Sequence, residues 1–270
     1  MKVAVLGRNA NATTNMQGNY FGTAPFLVSP REGIAKHAAV SYADGNDIGK
    51  AVGYVAAVDA VVLVVGLTSE GSSKEEGPRD EAEGHDRTSL LLPGNQDDLI
   101  KQVAAAGKKK GIPVIVVVIG GGPLDMSATK ANPDVGAIMW AGYPGQSGGD
   151  SIAESVFGMQ NKFGKLTLTW YPERFATEVK ITDMHMRPGP NNPGRTYRFY
   201  TGTPVFKFGE GLSYTEFGHE LAAPSTVAAR YFEEGSDMTL HTLTKMTATT
   251  LAVTTTNTGV STRMRLCDPM

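Results

Sequence analysis

The sequence predicts an α/β fold: a doubly wound, mostly parallel sheet flanked by helices as an α/β sandwich, followed by a partial β tail. Three observations predict it. Short, continuous β-branched runs recur along the first two thirds of the chain, the pattern of strands buried on both faces. Segments with helical patterning lie between those runs, so strand and helix alternate. Turns rich in Gly and Pro, such as Gly120-Gly121-Gly122-Pro123 and Tyr143-Pro144-Gly145, follow individual runs.

In chain order, strands are expected at 3–6, 40–42, 60–66 (AVVLVVG), 113–119, 135–140 and 165–169. Helices are expected at 30–37, 47–58, 94–107, 127–131 and 148–157, with Lys108, Lys109 and Lys110 capping the end of the third. From 170 to 217 the chain is rich in Pro, Gly and aromatics without a period, which reads as a long ordered excursion over the surface. Beyond it, residues 238–257 are Thr-rich with weak alternation, and 251–259 read as a strand and turn from an all-β module. One or two strands cannot close a sandwich, so this second segment reads as incomplete. The expected domains are 1–217 and 218–270, and no internal repeat is visible.

Composition removes several function classes. With 25 Lys and Arg against 27 Asp and Glu, no broad basic face can be assembled, so no nucleic-acid partner is expected. The single cysteine, Cys267, excludes an internal disulfide framework, and His37, His85, His185, His219 and His241 show no ligand spacing; no metal is expected. No apolar run approaches the ~20 residues that span a bilayer, so no membrane partner is expected. The opening MKVAVLGRNA turns polar too quickly for a secretory signal, so no signal peptide is read in this chain. Asn11-Ala12-Thr13 is a glycosylation sequon, which has meaning only for an exported protein.

The glycine turns do not carry a nucleotide site. There is no G-x-x-x-x-G-K-[ST], and the first turn, GRNANATT, lacks G-x-G-x-x-G, so no cofactor is expected. Residues 142–146 sit where a nucleophile elbow would but have no Ser or Cys at the centre, and Ser147 lies outside that pattern. The remaining feature is an acidic connection after the strand at 60–66, which contains Glu70, Glu75, Glu76, Asp80, Glu81 and Glu83. Charge runs are commonly solvated faces, and that reading stays open. Against it, the cluster lies beyond the carboxyl end of a buried strand, where open α/β sheets bind ligands, and it includes a cation, Arg87. Such a mixture can split carboxyl pKa values as acid/base chemistry requires. His85 reads as solvated or hydrogen-bonding. Trp140, Trp170, Tyr197, Phe199 and Tyr200 suit sugar stacking or a core equally well.

The ordered set VAVLGRNANAT, MQGNYFGTAP, DAVVLVVGL, EAEGHDRTSLLLPGNQ, GGPLDMS, AIMWAGYPGQSGG, GKLTLTWYP, PGRTYRFYTG and FKFGEGLSYTEF resembles the C-terminal α/β sandwich domain of glycoside hydrolase family 3, most closely its β-xylosidase branch. The resemblance runs from Lys2 to Phe217, and the tail is similar to the start of a fibronectin type III-like module. It implies a retaining, exo-acting glycosidase for β-linked oligosaccharides or glycosides, β-xylosidase-like or β-glucosidase-like, in xylan catabolism and outside the cell. It also implies a partner that this chain lacks, an N-terminal (β/α)8 barrel carrying the Asp nucleophile. The family's acid/base Glu lies in an E-A-E segment before D-R, which Glu81-Ala82-Glu83-Gly84-His85-Asp86-Arg87 matches. Glu81 is therefore the expected acid/base and Glu83 the second choice. Tyr20, in MQGNYFG, is expected to contact substrate. Residues 70–79 make this connection longer than the usual one. The alternatives are a non-catalytic carbohydrate-binding or assembly module and an inactive gene fragment.

Overall fold

The computed structural model describes residues 1–69, 78–222 and 252–259. Glu70, Glu75 and Glu76, with most of the Thr-rich tail, lie outside the described residues. Two compact units are present, Met1–Leu212 and a smaller one within Ser213–Arg263.

The larger unit is built on five parallel strands: β1 (Lys2–Leu6), β2 (Ala39–Ala43), β3 (Ala60–Gly66), β4 (Val114–Ile119) and β5 (Ala137–Gly142). Their order is β2-β1-β3-β4-β5, so the winding direction reverses between β1 and β3. All seven residues of β3 are buried, because helices cover both faces of the sheet. Helices α1 (Pro30–Ala35) and α5 (Gly148–Val156) lie on one face. Ile34, Ile152, Ala153 and Val156 pack there against Val3, Val5, Val62, Val64 and Val117. Helices α2 (Ile48–Val55) and α3 (Gln96–Lys110) cover the other. Ala51, Val55, Leu99, Ile100 and Val103 meet Leu6, Val61, Leu63, Val65 and Val116 on that face.

Helix ends follow local chemistry. Ser29 and Glu32 form a capping box at α1, with Pro30 at the first helical position. The Asp47 side chain accepts from the Lys50 N–H at the start of α2. Helix α3 runs three residues further than expected, so Lys108–Lys110 form its last turn, opposite the partial negative charge there. Gly111 ends it in the left-handed conformation, and Lys110 Nζ reaches the Val55 and Val58 carbonyls beyond α2.

The strand expected at 165–169 does not form. Leu166 exchanges backbone hydrogen bonds with Gly209 and Glu210, and Trp170 makes a single bridge to Phe206. The apolar alternation there reflects anchoring rather than pairing: Leu166 packs on the core and Leu168 faces outward. Trp170 is buried edge-on between Trp140 and Phe206. The short helices α4 (Ser127–Ala131), α6 (Arg174–Glu178) and α7 (Thr196–Phe199) complete this unit. Tyr171 stacks on Phe175 at 3.9 Å and meets Tyr200 edge-on, which holds the excursion without a regular period. In the smaller unit, β6 (Phe217–Ala222) pairs antiparallel with β7 (Ala252–Asn257), from Phe217↔Asn257 to Ala222↔Ala252.

Helices α1 and α5 touch backbone to backbone. A Cβ on Gly33 would lie 2.1 Å from the Gly149 carbonyl oxygen. Gly33→Ala is expected to destabilise the chain by about 1–3 kcal/mol, the range for overpacking. Gly53, exposed on α2 with nothing near its missing Cβ, is the control: Gly53→Ala should stabilise by about 0.4–1 kcal/mol. Urea midpoints for the two variants check both signs.

Candidate functional site

The acidic connection leaves the sheet from a strand end bonded by side chains from elsewhere in the chain. The Gln96 amide grips Gly66, accepting from its N–H at 2.8 Å and donating to its carbonyl at 2.9 Å. Asn9 and Asn15, both buried, donate to the Leu67 carbonyl at 3.1 and 2.9 Å. The Ser69 N–H donates to Asn15 Oδ1 at 2.8 Å. These bonds join the loop after β1 to the loop after β3 at the topological switch point.

Thr68 then closes the connection on itself. Its carbonyl accepts from the N–H groups of Asp80 and Glu81 at 2.9 and 3.2 Å. Asp80 Oδ2 accepts from the Thr68 N–H at 2.9 Å and pairs with Arg8 at 2.7 Å. Glu81 thereby lies beside the carboxyl end of β3. A two-residue turn follows, with Ala82 and His85 exchanging backbone bonds and Gly84 at φ 69°.

The two candidate carboxylates have different surroundings. Glu81 is partly buried. Its Oε2 pairs with Arg87 Nε at 2.9 Å, while its Oε1 accepts from the Gly121 N–H at 3.0 Å and the Tyr143 hydroxyl at 2.7 Å. Gly121 follows β4 and Tyr143 follows β5, so the carboxylate ties together three strand-end loops. Glu83 sits exposed on the turn and accepts from the Tyr20 hydroxyl at 2.6 Å. Tyr20 is 84% exposed and holds a left-handed backbone at φ 55°, uncommon for a residue with a side chain.

The Tyr143 phenol is pushed well above its ordinary range. Burial is the largest cause, followed by its hydrogen bond to Glu81 and the Glu81 charge; the Gly121 backbone contact and Arg87 act in the opposite direction. The phenol therefore stays protonated and remains a donor. Arg87 and the two donors leave both oxygens of the Glu81 carboxylate hydrogen-bonded.

The structure thus brings Glu81 and Arg87 together and places Tyr20 against Glu83. His85 is exposed, and Trp140 and Trp170 serve the core. Tyr197, stacked on Phe208, stays 63% exposed. Among the described residues, no group of three or more His, Cys, Asp or Glu is arranged to hold a metal. Sequence reasoning missed Arg8, Asn9, Asn15, Gly121 and Tyr143. The available signals were the polar run Arg8-Asn9-Ala10-Asn11 directly after a strand and the Tyr-Pro-Gly turn after β5.

Two measurements probe this arrangement. Asn15→Ala leaves the Ser69 N–H and one bond to Leu67 unmade, so urea unfolding should show a loss of about 1–3 kcal/mol. Glu81→Gln removes the Glu81 charge, one of the causes that raise the Tyr143 phenol, and leaves its burial and a side-chain oxygen that can still accept from it. The Tyr143 ring-carbon resonance should then titrate at lower pH than in the wild type, though still above an ordinary tyrosine; an unchanged titration would contradict the contact.

Comparison with known proteins adds an independent finding. The model of the glycosyl hydrolase family 3 C-terminal domain matches residues 1–214. Beta-D-xylosidase 1 of Arabidopsis thaliana is 46% identical over 229 residues, covering 82% of this chain and 28% of that protein. An exo-1,4-beta-xylosidase of Aspergillus niger is 42% identical over 227 residues, covering 83% and 28%. A solved family 3 exo-beta-xylosidase, in complex with a xylobiose aziridine activity-based probe, superposes with a TM-score of 0.73 at 39% identity, covering 81% of this chain and 28% of its own. The chain thus spans less than a third of the length of these relatives.

Proposed function

The chain belongs to glycoside hydrolase family 3, and on that premise we propose that it is the acid/base-bearing domain of a retaining, exo-acting glycosidase of β-xylosidase or β-glucosidase type. Its substrates are β-linked oligosaccharides such as those released from xylan. A (β/α)8 barrel domain supplies the nucleophilic Asp, and the match to less than a third of each relative supports such a missing portion. The observation that carries the reading is the position of the Glu81 carboxylate, held where the loops after β3, β4 and β5 meet.

Retaining hydrolysis uses two carboxyl groups about 5 Å apart. Glu81 gives its proton to the glycosidic oxygen as the C1–O bond breaks, and the barrel Asp bonds to C1. Glu81, now a carboxylate, takes a proton from water, whose oxygen attacks C1 and releases the Asp. Arg87 pairs with the carboxylate left after the first step. Glu83 is the second choice, since Tyr20 holds it at the exposed turn. Tyr20, with the exposed Phe21 and Phe26, forms the loop proposed to face the sugar. The tail beyond residue 217 is proposed as the start of a fibronectin type III-like module, and the enzyme as extracellular.

The isolated 270-residue chain should not hydrolyse an aryl β-xyloside, because the covalent intermediate needs the missing Asp. Joined to a family barrel, Glu81→Ala should slow glycosylation by about 10²–10⁴-fold for poor leaving groups, and little for activated aryl groups that depart without a proton. Wild-type rates on both substrates would transfer the role to Glu83. Binding of xylo-oligosaccharides by the isolated chain, unchanged in Glu81→Ala, would point instead to a non-catalytic module.

A further inference from the structure

Resting on the reading of Glu81 as the acid/base, we propose that Tyr143 is a positioning residue that fixes which oxygen of Glu81 carries the catalytic proton. Glu81 Oε1 already accepts two donors, the Gly121 N–H at 3.0 Å and the Tyr143 hydroxyl at 2.7 Å. Both donors point at the same oxygen, so a proton there would face two hydrogens already in place. Among the described residues, the partner of Oε2 is Arg87. The transferable proton therefore resides on Oε2.

The local packing is built for this. A Cβ at Gly121 would lie 3.0 Å from Tyr143 Cε2 and 3.1 Å from Glu81 Oε1, so a side chain there would enter the contact itself. Gly18, on the loop before Tyr20, meets the same ring; its Cβ would lie 3.0 Å from Tyr143 Cδ2. Tyr143 thus packs closely against two glycines, with its hydroxyl on Oε1. Arg87 is held in turn by the Ser89 and Pro123 carbonyls, at 3.4 and 3.3 Å. Among the described residues, the charged and titratable groups on this segment and against it include these two, Arg79, Asp80 with its partner Arg8, Glu83 with its partner Tyr20, His85 across the turn and Asp86.

One catalytic cycle then runs through a single oxygen. The proton on Oε2 passes to the glycosidic oxygen, which keeps the electron pair of the breaking C1–O bond. Arg87 pairs with the resulting anion. In the second step a water proton returns to Oε2 as the water oxygen bonds to C1.

The test uses Tyr143→Phe in the chain joined to a family barrel, with kcat/KM followed against pH for a poor leaving group. Loss of a donor to the carboxylate favours its protonated form, so the alkaline limb should move up by about one pH unit. The rate at the optimum should fall about tenfold through kcat, while activated aryl substrates keep their glycosylation rate. Gly121→Ala, which displaces the ring without removing the hydroxyl, should give the same direction and serves if the first variant folds poorly. An alkaline limb that stays in place in both variants, with all leaving groups slowed equally, would overturn the positioning role. Glu81→Ala measured in parallel separates the two layers: normal rates there on poor leaving groups sink the acid/base reading itself, whereas an inactive Glu81→Ala beside unmoved Tyr143 and Gly121 variants sinks only this inference.

Discussion

A strand buried along its whole length must have every backbone group satisfied where it emerges, because an unpaired buried donor or acceptor costs about 1–3 kcal/mol. Strand β3 meets that constraint with side chains from elsewhere: Gln96 closes on Gly66, Asn9 and Asn15 on Leu67, and Asn15 on Ser69. The same bonds determine where the next segment goes. Because Thr68 is tied to Asp80 and Glu81, the connection returns to the strand end, and Glu81 lands between the loops after β4 and β5. Its Oε1 then meets two donors and its Oε2 a guanidinium. The chemistry proposed for the carboxylate is a consequence of how the strand end is sealed.

The fold was legible because its signals are local. AVVLVVG admits little except a strand covered on both sides, and Ser29-Pro30 with Glu32 announces a helix start. Where sequence reading failed, two patterns shared one local appearance. KLTLT alternates as a strand does, but its alternation separates an anchored Leu166 from an outward Leu168, and residues 206–210 take its hydrogen bonds. Resemblance to glycoside hydrolase family 3 could single out Glu81 and Glu83 within the acidic run. It could not separate their environments, since these depend on Tyr20, Gly121 and Tyr143, which lie between 40 and 63 positions away along the chain from the carboxylates they bind. Asn9 and Asn15 were invisible for the same reason: a polar residue in a loop declares its burial only once the partner strand is in place.

In the proposed function, this arrangement supplies one side of a reaction. Strand-end loops present Glu81 and, next to it, the exposed Glu83 and Tyr20, a face rich in donors and open to solvent. A retaining mechanism needs a second carboxylate about 5 Å from the first. Joining the domain to its proposed barrel would complete the site.

The central claim is that Glu81 serves as the acid and then the base. Azide rescue tests it most directly, because azide is already an anion and attacks a glycosyl-enzyme without a base. With this chain joined to a family barrel and an activated aryl β-xyloside as substrate, Glu81→Ala should be slow in water and should accelerate with azide, giving β-xylosyl azide of retained configuration. Glu83→Ala should show no rescue. Rescue of Glu83→Ala with none for Glu81→Ala would contradict the account.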